Sequence, residues 1–77
     1  MMRTAILTPA YGRSYKKIAD VNKDFDGNRD FILHDPTSQW DGRYCNKADL
    51  TQDYTHVQIR YDKHRREVHV RTVLNHP

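Results

Sequence analysis

The fold is decided by residues 55–74, which read THVQIRYDKHRREVHVRTVL. Apolar and polar residues alternate on both sides of a basic turn, a period of two that is typical of a half-buried antiparallel β-hairpin. One predicted face carries Val57, Ile59, Tyr61, Val68, Val70, Thr72 and Leu74. The other carries His56, Gln58, Arg60, Glu67, His69, Arg71 and Val73. The sequence therefore predicts one buried face, one polar face and a basic tip at residues 63–66.

The apolar pattern also predicts the register of the hairpin. With Tyr61 opposite Val68, every apolar side chain of the two strands lies on one side, whereas a slip by one residue would expose half of them. This register pairs Ile59 with Val70, Val57 with Thr72, Arg60 with His69, Gln58 with Arg71 and Asp62 with Glu67.

The rest of the chain predicts one helix and two short strands. Residues 4–8 form a strand that Pro9 ends. Ser14 caps a helix over residues 15–25, and Gly27 ends that helix in a left-handed conformation. A strand at 30–34, an irregular loop at 37–44 and a single turn capped by Asn46 follow. The helix turns Tyr15, Ile18, Ala19, Asn22 and Phe25 toward the sheet, with Val21 at the side.

These elements make one α+β domain, residues 1–77, with its core between residues 4 and 74. We expect a small antiparallel-rich sheet of three to four strands, with one helix packed across it and the C-terminal β-hairpin. Ile18, Val21 and Phe25 meet Ile59 and Val70 in this core. Only one of the neighbours Ile6 and Leu7 can join them, because successive side chains of a strand point to opposite faces.

Composition limits the class of protein. Only 36% of the 77 residues are apolar, against roughly 45–50% in typical domains, so the core is small. The single cysteine, Cys45, excludes an internal disulfide and is expected in the core rather than as a nucleophile. No segment predicts a signal peptide or a membrane span. These features together predict a cytoplasmic protein.

Motifs for metals, cofactors and catalysis are not found in the sequence. Residues 22–30 resemble a calcium loop, but Leu33 stands where the bidentate glutamate is needed. His56 and His69 would lie about 13 Å apart on one strand face, too far to share an ion. His34, His64 and His76 have no fixed relation to them. We therefore predict no metal, no cofactor and no enzymatic activity.

The net charge of +3 permits an anionic partner. The predicted binding surface is the polar face and tip of the hairpin: Arg60, Lys63, Arg65, Arg66, His69 and Arg71. A secondary set, Tyr11, Arg13 and Lys16, interleaves aromatic and cationic side chains, as nucleic-acid-binding surfaces do.

Four stretches resemble small uncharacterised proteins encoded by tailed bacteriophages: TPAYGRSYK at residues 8–16, DFI at 30–32, DGRY at 41–44 and NK at 46–47. With the closing hairpin, the resemblance spans residues 4–73. It implies a setting, a phage accessory protein in the cytoplasm of a bacterial host, and no transferable activity.

Three functions are consistent with these patterns. The first is a non-enzymatic binding module that modulates a host macromolecule, for example a component of a defence system or a polymerase, with a protein as the preferred partner. The alternative is a small nucleic-acid-binding protein that uses the same basic face. The third is a metal-sensing or pH-sensing domain built on the histidines. The oligomeric state, monomer or homodimer, is left open because an exposed strand edge can pair with a second copy.

Overall fold

The computed structural model describes residues 2–74, with side chains over residues 4–71. The elements are β1 (Met2–Pro9), α1 (Ile18–Gly27), β2 (Phe31–His34), β3 (Tyr44–Cys45), α2 (Lys47–Asp53), β4 (Tyr54–Asp62) and β5 (Glu67–Leu74), with a 3₁₀ turn at Ala10–Gly12. The strands form one antiparallel sheet in the order β3-β2-β1-β5-β4. The predicted α+β class is confirmed. The described residues form five strands and two helices rather than three to four strands and one helix.

The register of the hairpin is confirmed at its tip and wrong at its base. Tyr61 pairs with Val68 and Ile59 with Val70, and all three predicted polar pairs are present. The predicted pairing of Val57 with Thr72 is wrong, since the register shifts between Thr55 and Gln58. The structure describes no side chains beyond residue 71. The predictions that Thr72 and Leu74 point inward and Val73 points outward therefore fall outside the described residues, as does His76.

The shift is a β-bulge that reverses the alternation of β4. His56 lies at φ 55°, a left-handed conformation that extended strands do not contain. Because the bulge adds one residue to β4, the inward positions change from odd to even numbers. Tyr54 therefore faces the core, where 1% of its surface is exposed.

Helix α1 begins later than the sequence predicts. Ser14 is not its cap; the N-cap is Lys17, which makes no side-chain capping bond. Tyr15 lies outside the helix because tertiary contacts hold it: its hydroxyl donates to Asp24 Oδ2 at 3.0 Å, and its backbone N–H donates to the Tyr61 hydroxyl at 3.4 Å. Gly27 is not a left-handed cap but the last helical residue, followed by Asn28 in an extended conformation.

The buried stripe of α1 is narrower than predicted. Val21 and Phe25, one turn apart, are buried, whereas Ala19 is exposed and Ile18 is 40% exposed. The predicted burial of Ile18 and Ala19 is therefore wrong. A stripe of two residues suffices because Leu50 of α2 and Trp40 of the preceding loop also pack on the core.

The middle of the chain contains more regular structure than predicted. Tyr44, the last residue of the predicted loop, forms β3 together with Cys45, and β3 pairs with β2. The predicted cap at Asn46 is confirmed: its side chain accepts from the backbone N–H of Asp49 at 3.0 Å, while Asp49 accepts from the backbone N–H of Asn46 at 2.9 Å. This reciprocal capping box starts a helix that continues to Asp53 rather than a single turn.

Both helices pack on the same face of the sheet. Leu7, not Ile6, is the neighbour that faces the core. The buried cluster consists of Ala5, Leu7, Tyr15, Val21, Phe25, Phe31, Leu33, Cys45, Leu50, Tyr54, Val68 and Val70. Burial confirms Cys45 as a core residue and raises the pKa of its thiol to about 12. Within residues 2–74, no helix is long and apolar enough to cross a membrane.

Candidate binding surface

The second face of the sheet is the face that the two helices leave uncovered, and we call it the open face. The strand register identifies the side chains of this face, because residues paired directly across neighbouring strands point to the same side of the sheet. They are Thr4, Ile6 and Thr8 of β1, Ile32 and His34 of β2, Tyr44 of β3, Gln58 and Arg60 of β4, and Glu67, His69 and Arg71 of β5. Four strands contribute one row, in which His34, Ile6, His69 and Arg60 are successive partners.

His69 lies between a cation and a carboxylate on this face. Arg60 Nη2 lies 3.4 Å from His69 Nδ1, and His69 Nε2 lies 3.1 Å from Glu67 Oε1. Because a guanidinium can only donate and a carboxylate accepts, the two contacts fit a neutral imidazole with its proton on Nε2. This tautomer avoids two like charges directly opposite each other at the Arg60–His69 pair.

The hairpin tip, residues 63–66, is ordered by Asp62, the last residue of β4. Its Oδ1 accepts from the backbone N–H groups of His64 at 3.0 Å and Arg65 at 3.1 Å. These two hydrogen bonds lower the pKa of the Asp62 carboxyl, and the bond from Arg65 has the larger effect. Arg66 completes the turn in a left-handed conformation at φ 54°. The tip therefore holds its basic side chains on a fixed backbone.

The predicted primary residues divide between these two regions. Arg60, His69 and Arg71 lie on the open face, while Lys63, Arg65 and Arg66 project from the tip. Arg65 lies 4.0 Å from Asp62, with 72% of its side chain exposed. Among the described residues, Lys63, Arg66 and Arg71 have no carboxylate within ion-pair distance. The surface therefore carries uncompensated positive charge.

The secondary residues lie at the end of the sheet where the tip lies, because Leu7 near the end of β1 pairs with Val68 near the start of β5. Tyr11 is 81% exposed, and Lys16 is exposed. Arg13 differs, since its guanidinium binds Asp24 at 3.0 Å and Asp30 at 3.2 Å. Its charge is already balanced, which leaves Tyr11 and Lys16 as the free members of this set.

The sequence reasoning missed the aliphatic centre of the open face. Ile6 and Ile32 are half-buried on β1 and β2, beside Thr8, whose hydroxyl lies 2.8 Å from His34 Nε2. The alternation of β1 contained the necessary information, because a strand that buries Leu7 must turn Ile6 outward. The alternation did not show that no helix within residues 2–74 covers that side.

One group of possible metal ligands was also missed. Single ligand atoms of Asp62, Glu67 and His69 lie within 4.8 Å of one another. Each already has a protein partner: Glu67 accepts from His69, and Asp62 accepts from the backbone of the tip. The guanidinium groups of Arg60 and Arg65 beside them disfavour a cation. We assign the three side chains to the structure of the hairpin.

A buried polar cluster lies on the helical side of the sheet. Asp53 is 0% exposed and accepts from Ser38 Oγ at 2.5 Å and Gln39 Nε2 at 2.7 Å. Nearby, Asp35 accepts from the hydroxyl of Tyr54. Because these carboxylates are covered, a substrate in solvent cannot reach them. They join the loop of residues 35–43 to α2 and β4.

No family model matches the chain, and comparisons with curated proteins and with solved structures also give no match. The resemblance to small bacteriophage proteins therefore stays a prediction.

Proposed function

We propose that the chain is a non-enzymatic binding module that binds an acidic surface of another protein through its open face and hairpin tip. One observation carries the proposal: a half-buried aliphatic centre, Ile6 and Ile32 on β1 and β2, shares a sheet face with the exposed cations Arg60 and Arg71 of β4 and β5, and no described helix covers that face. Protein interfaces are commonly built in this way, with an apolar core inside a polar rim.

A protein partner fits this face better than a nucleic acid does. Proteins that bind single strands on a sheet stack bases on aromatic side chains of the central strands. Here β1 presents Ile6 and Thr8 at those positions, and β2 presents Ile32 and His34, whose Nε2 contacts the Thr8 hydroxyl. Tyr44 lies at the edge on β3. Nucleic-acid binding is the alternative, supported by the basic tip and the exposed Tyr11 at the same end of the sheet.

The mechanism we propose is steric and electrostatic. The cations of the face and tip would attract an acidic patch, and Ile6 and Ile32 would lose their remaining contact with water. In the bacterial setting that the resemblance implies, the partner is a host component, for example of a defence system or a polymerase. We assign no catalytic step, since Asp53 is covered and the pKa of Cys45 is raised to about 12 by burial.

The experiment is an affinity pull-down from bacterial lysate with and without nuclease. The test variant Arg60→Glu/Arg71→Glu reverses two charges of the open face. The matched control Lys23→Glu/Lys47→Glu reverses two charges on the helices, with the same change in net charge. We expect a protein band that survives nuclease, disappears with the test variant and persists with the control.

Two results would contradict the proposal. Recovery of nucleic acid alone, lost with nuclease and weakened steeply by salt, would establish the alternative. Equal capture by the test variant and wild type would show that the open face is not the binding surface.

A further inference from the structure

Strand β4 forms one edge of the sheet. It pairs with β5 on one side, and no described strand pairs with its other side. Beyond the bulge, residues 58–62 pair with β5 in regular register. The outer N–H and C=O groups of such an edge are a template for one more strand.

A groove of about 320 Å³ runs beside this edge, between β4 and the start of α1. It is lined by Lys17, Ile18, Ile59, Arg60, Tyr61 and Lys63. Its floor is apolar, and it includes Ile18, which is 40% exposed. The floor is also fixed, because the rings of Tyr61 and Tyr15 pack edge to face at 5.4 Å and Tyr61 accepts from the backbone of Tyr15.

The charged side chains that line the groove are all cationic. Its lining contains three cations, Lys17, Arg60 and Lys63, and no carboxylate. The groove therefore complements an occupant that is both acidic and apolar.

We propose that an extended acidic segment of the protein partner adds to β4 as a sixth strand. Alternate side chains of a strand point to opposite sides and repeat about every 6.8 Å. Apolar side chains of the segment would then enter the groove against Ile18 and Ile59, and its carboxylates on the opposite side would pair with Arg60. The long, flexible side chains of Lys17 and Lys63 would reach the carboxylates at the edge. This inference rests on the proposed function, because Arg60 and Lys63 belong to both surfaces.

A second copy of the chain fits this edge less well. Antiparallel pairing of β4 with its own copy would bring Arg60 and Lys63 of both chains to one seam. Like charges opposite each other destabilise a strand pair. The acidic segment removes that repulsion, which is why we choose it as the occupant.

The test uses a fluorescein-labelled seven-residue peptide that alternates glutamate with valine. We expect binding that weakens at least about tenfold with Lys17→Glu/Lys63→Glu. The control Lys23→Glu/Lys47→Glu should bind within about twofold of wild type, and a peptide with glutamine for glutamate should bind weakly. Backbone amide resonances of residues 58–62 should shift in nitrogen–proton NMR spectra.

Backbone pairing is tested with two N-methylated peptides. A strand donates to one neighbour only from alternate residues, so each peptide carries N-methyl groups at one of the two alternate sets. We expect one peptide to lose at least about tenfold in affinity, because two or more hydrogen bonds are removed, and the other to lose much less. Equal losses would overturn strand addition.

The remaining outcomes separate this inference from the proposed function. Amide shifts centred on Ile6 and Ile32 would overturn strand addition and leave the open face as the binding surface. Absence of peptide binding up to about 1 mM would overturn the inference, while the lysate capture would decide the proposed function independently. A dimer by sedimentation that the peptide does not dissociate would assign the edge to a second copy.

Discussion

Two serines show that the contribution of a hydroxyl group to stability depends on its burial. Ser38 is 8% exposed and donates to the covered carboxylate of Asp53, whereas Ser14 is exposed and does not cap α1. We expect Ser38→Ala to lower the free energy of unfolding by about 1–3 kcal/mol, because a buried carboxylate oxygen loses its donor. Urea denaturation measures the change.

The matched control is Ser14→Ala. If Ser14 capped the helix as the sequence predicts, its loss would cost about 1 kcal/mol. From the structure we expect less than about 0.5 kcal/mol, as for other exposed positions. Equal effects of the two substitutions would contradict the assignment of Asp53 and Ser38 to one hydrogen-bonded cluster.

Tyr15 provides a prediction on pH. Burial, followed by its hydrogen bond to Asp24, raises the pKa of Tyr15 to about 12 from 10.0. The folded state therefore binds this proton more tightly than the unfolded state does. The contribution of Tyr15 to stability is at its full value below pH 10 and falls as the pH rises from 10 to about 12. Cys45, whose pKa burial also raises to about 12, acts in the same direction.

Phenolate absorbance separates these two groups, because only tyrosine contributes to it. We expect a late step near pH 12 in the wild type that is smaller by the absorbance of one tyrosine in Tyr15→Phe. A late step of unchanged amplitude in Tyr15→Phe would show that Tyr15 does not contribute to it.

At the scale of elements, the bulge in β4 is the feature that the sequence did not predict. The alternation of residues 58–62 and 67–71 predicted the correct register, because burial on one face fixes it. At residues 54–56 the alternation did not predict the register. The bulge there depends on tertiary contacts of Tyr54, which is buried in the core and donates to Asp35, and no local sequence pattern indicates it. Strand β3, with two residues, is too short to show a period.

The start of α1 was missed for a related reason. Serine before an apolar-periodic segment predicts a cap, but the helix propensity of residues 15–17 is worth a few tenths of a kcal/mol each. Burial of the Tyr15 ring contributes more than that. The same distinction applies to the binding surface. Its cations were predicted from the sequence of the hairpin, whereas its aliphatic centre depends on which face of the sheet the two helices cover.

The bulge itself can be tested at His56. A left-handed φ of 55° is costly for any residue with a Cβ, most of all a β-branched one, and is free for glycine. We expect His56→Gly to be more stable than His56→Val by about 2 kcal/mol. At Gln58, a regular strand position, the order should reverse, with Gln58→Val more stable than Gln58→Gly. Chemical denaturation of the four variants measures both differences.

At the scale of the whole molecule, the described residues form two layers, a five-stranded sheet and two short helices on one side of it. The radius of gyration of 11.3 Å agrees with roughly 11.5 Å for a packed chain of this length. No described element covers the other side of the sheet. The aliphatic residues on that open face are what distinguish it from an ordinary polar face.

The neighbours Ile6 and Leu7 test this two-layer arrangement as a whole. Leu7 is 0% exposed in the core, whereas Ile6 is half-buried on the open face. We expect Leu7→Ala to cost about 2–5 kcal/mol, a large part of the total for a domain whose stability is about 5–15 kcal/mol. Ile6→Ala should cost less than about 1.5 kcal/mol and should reduce partner capture from lysate, since its apolar area belongs to the proposed interface. A folded Ile6→Ala that captures the partner as wild type does would place the binding energy in the cations alone. A Leu7→Ala as stable as Ile6→Ala would contradict the assignment of the two faces, on which both proposals depend.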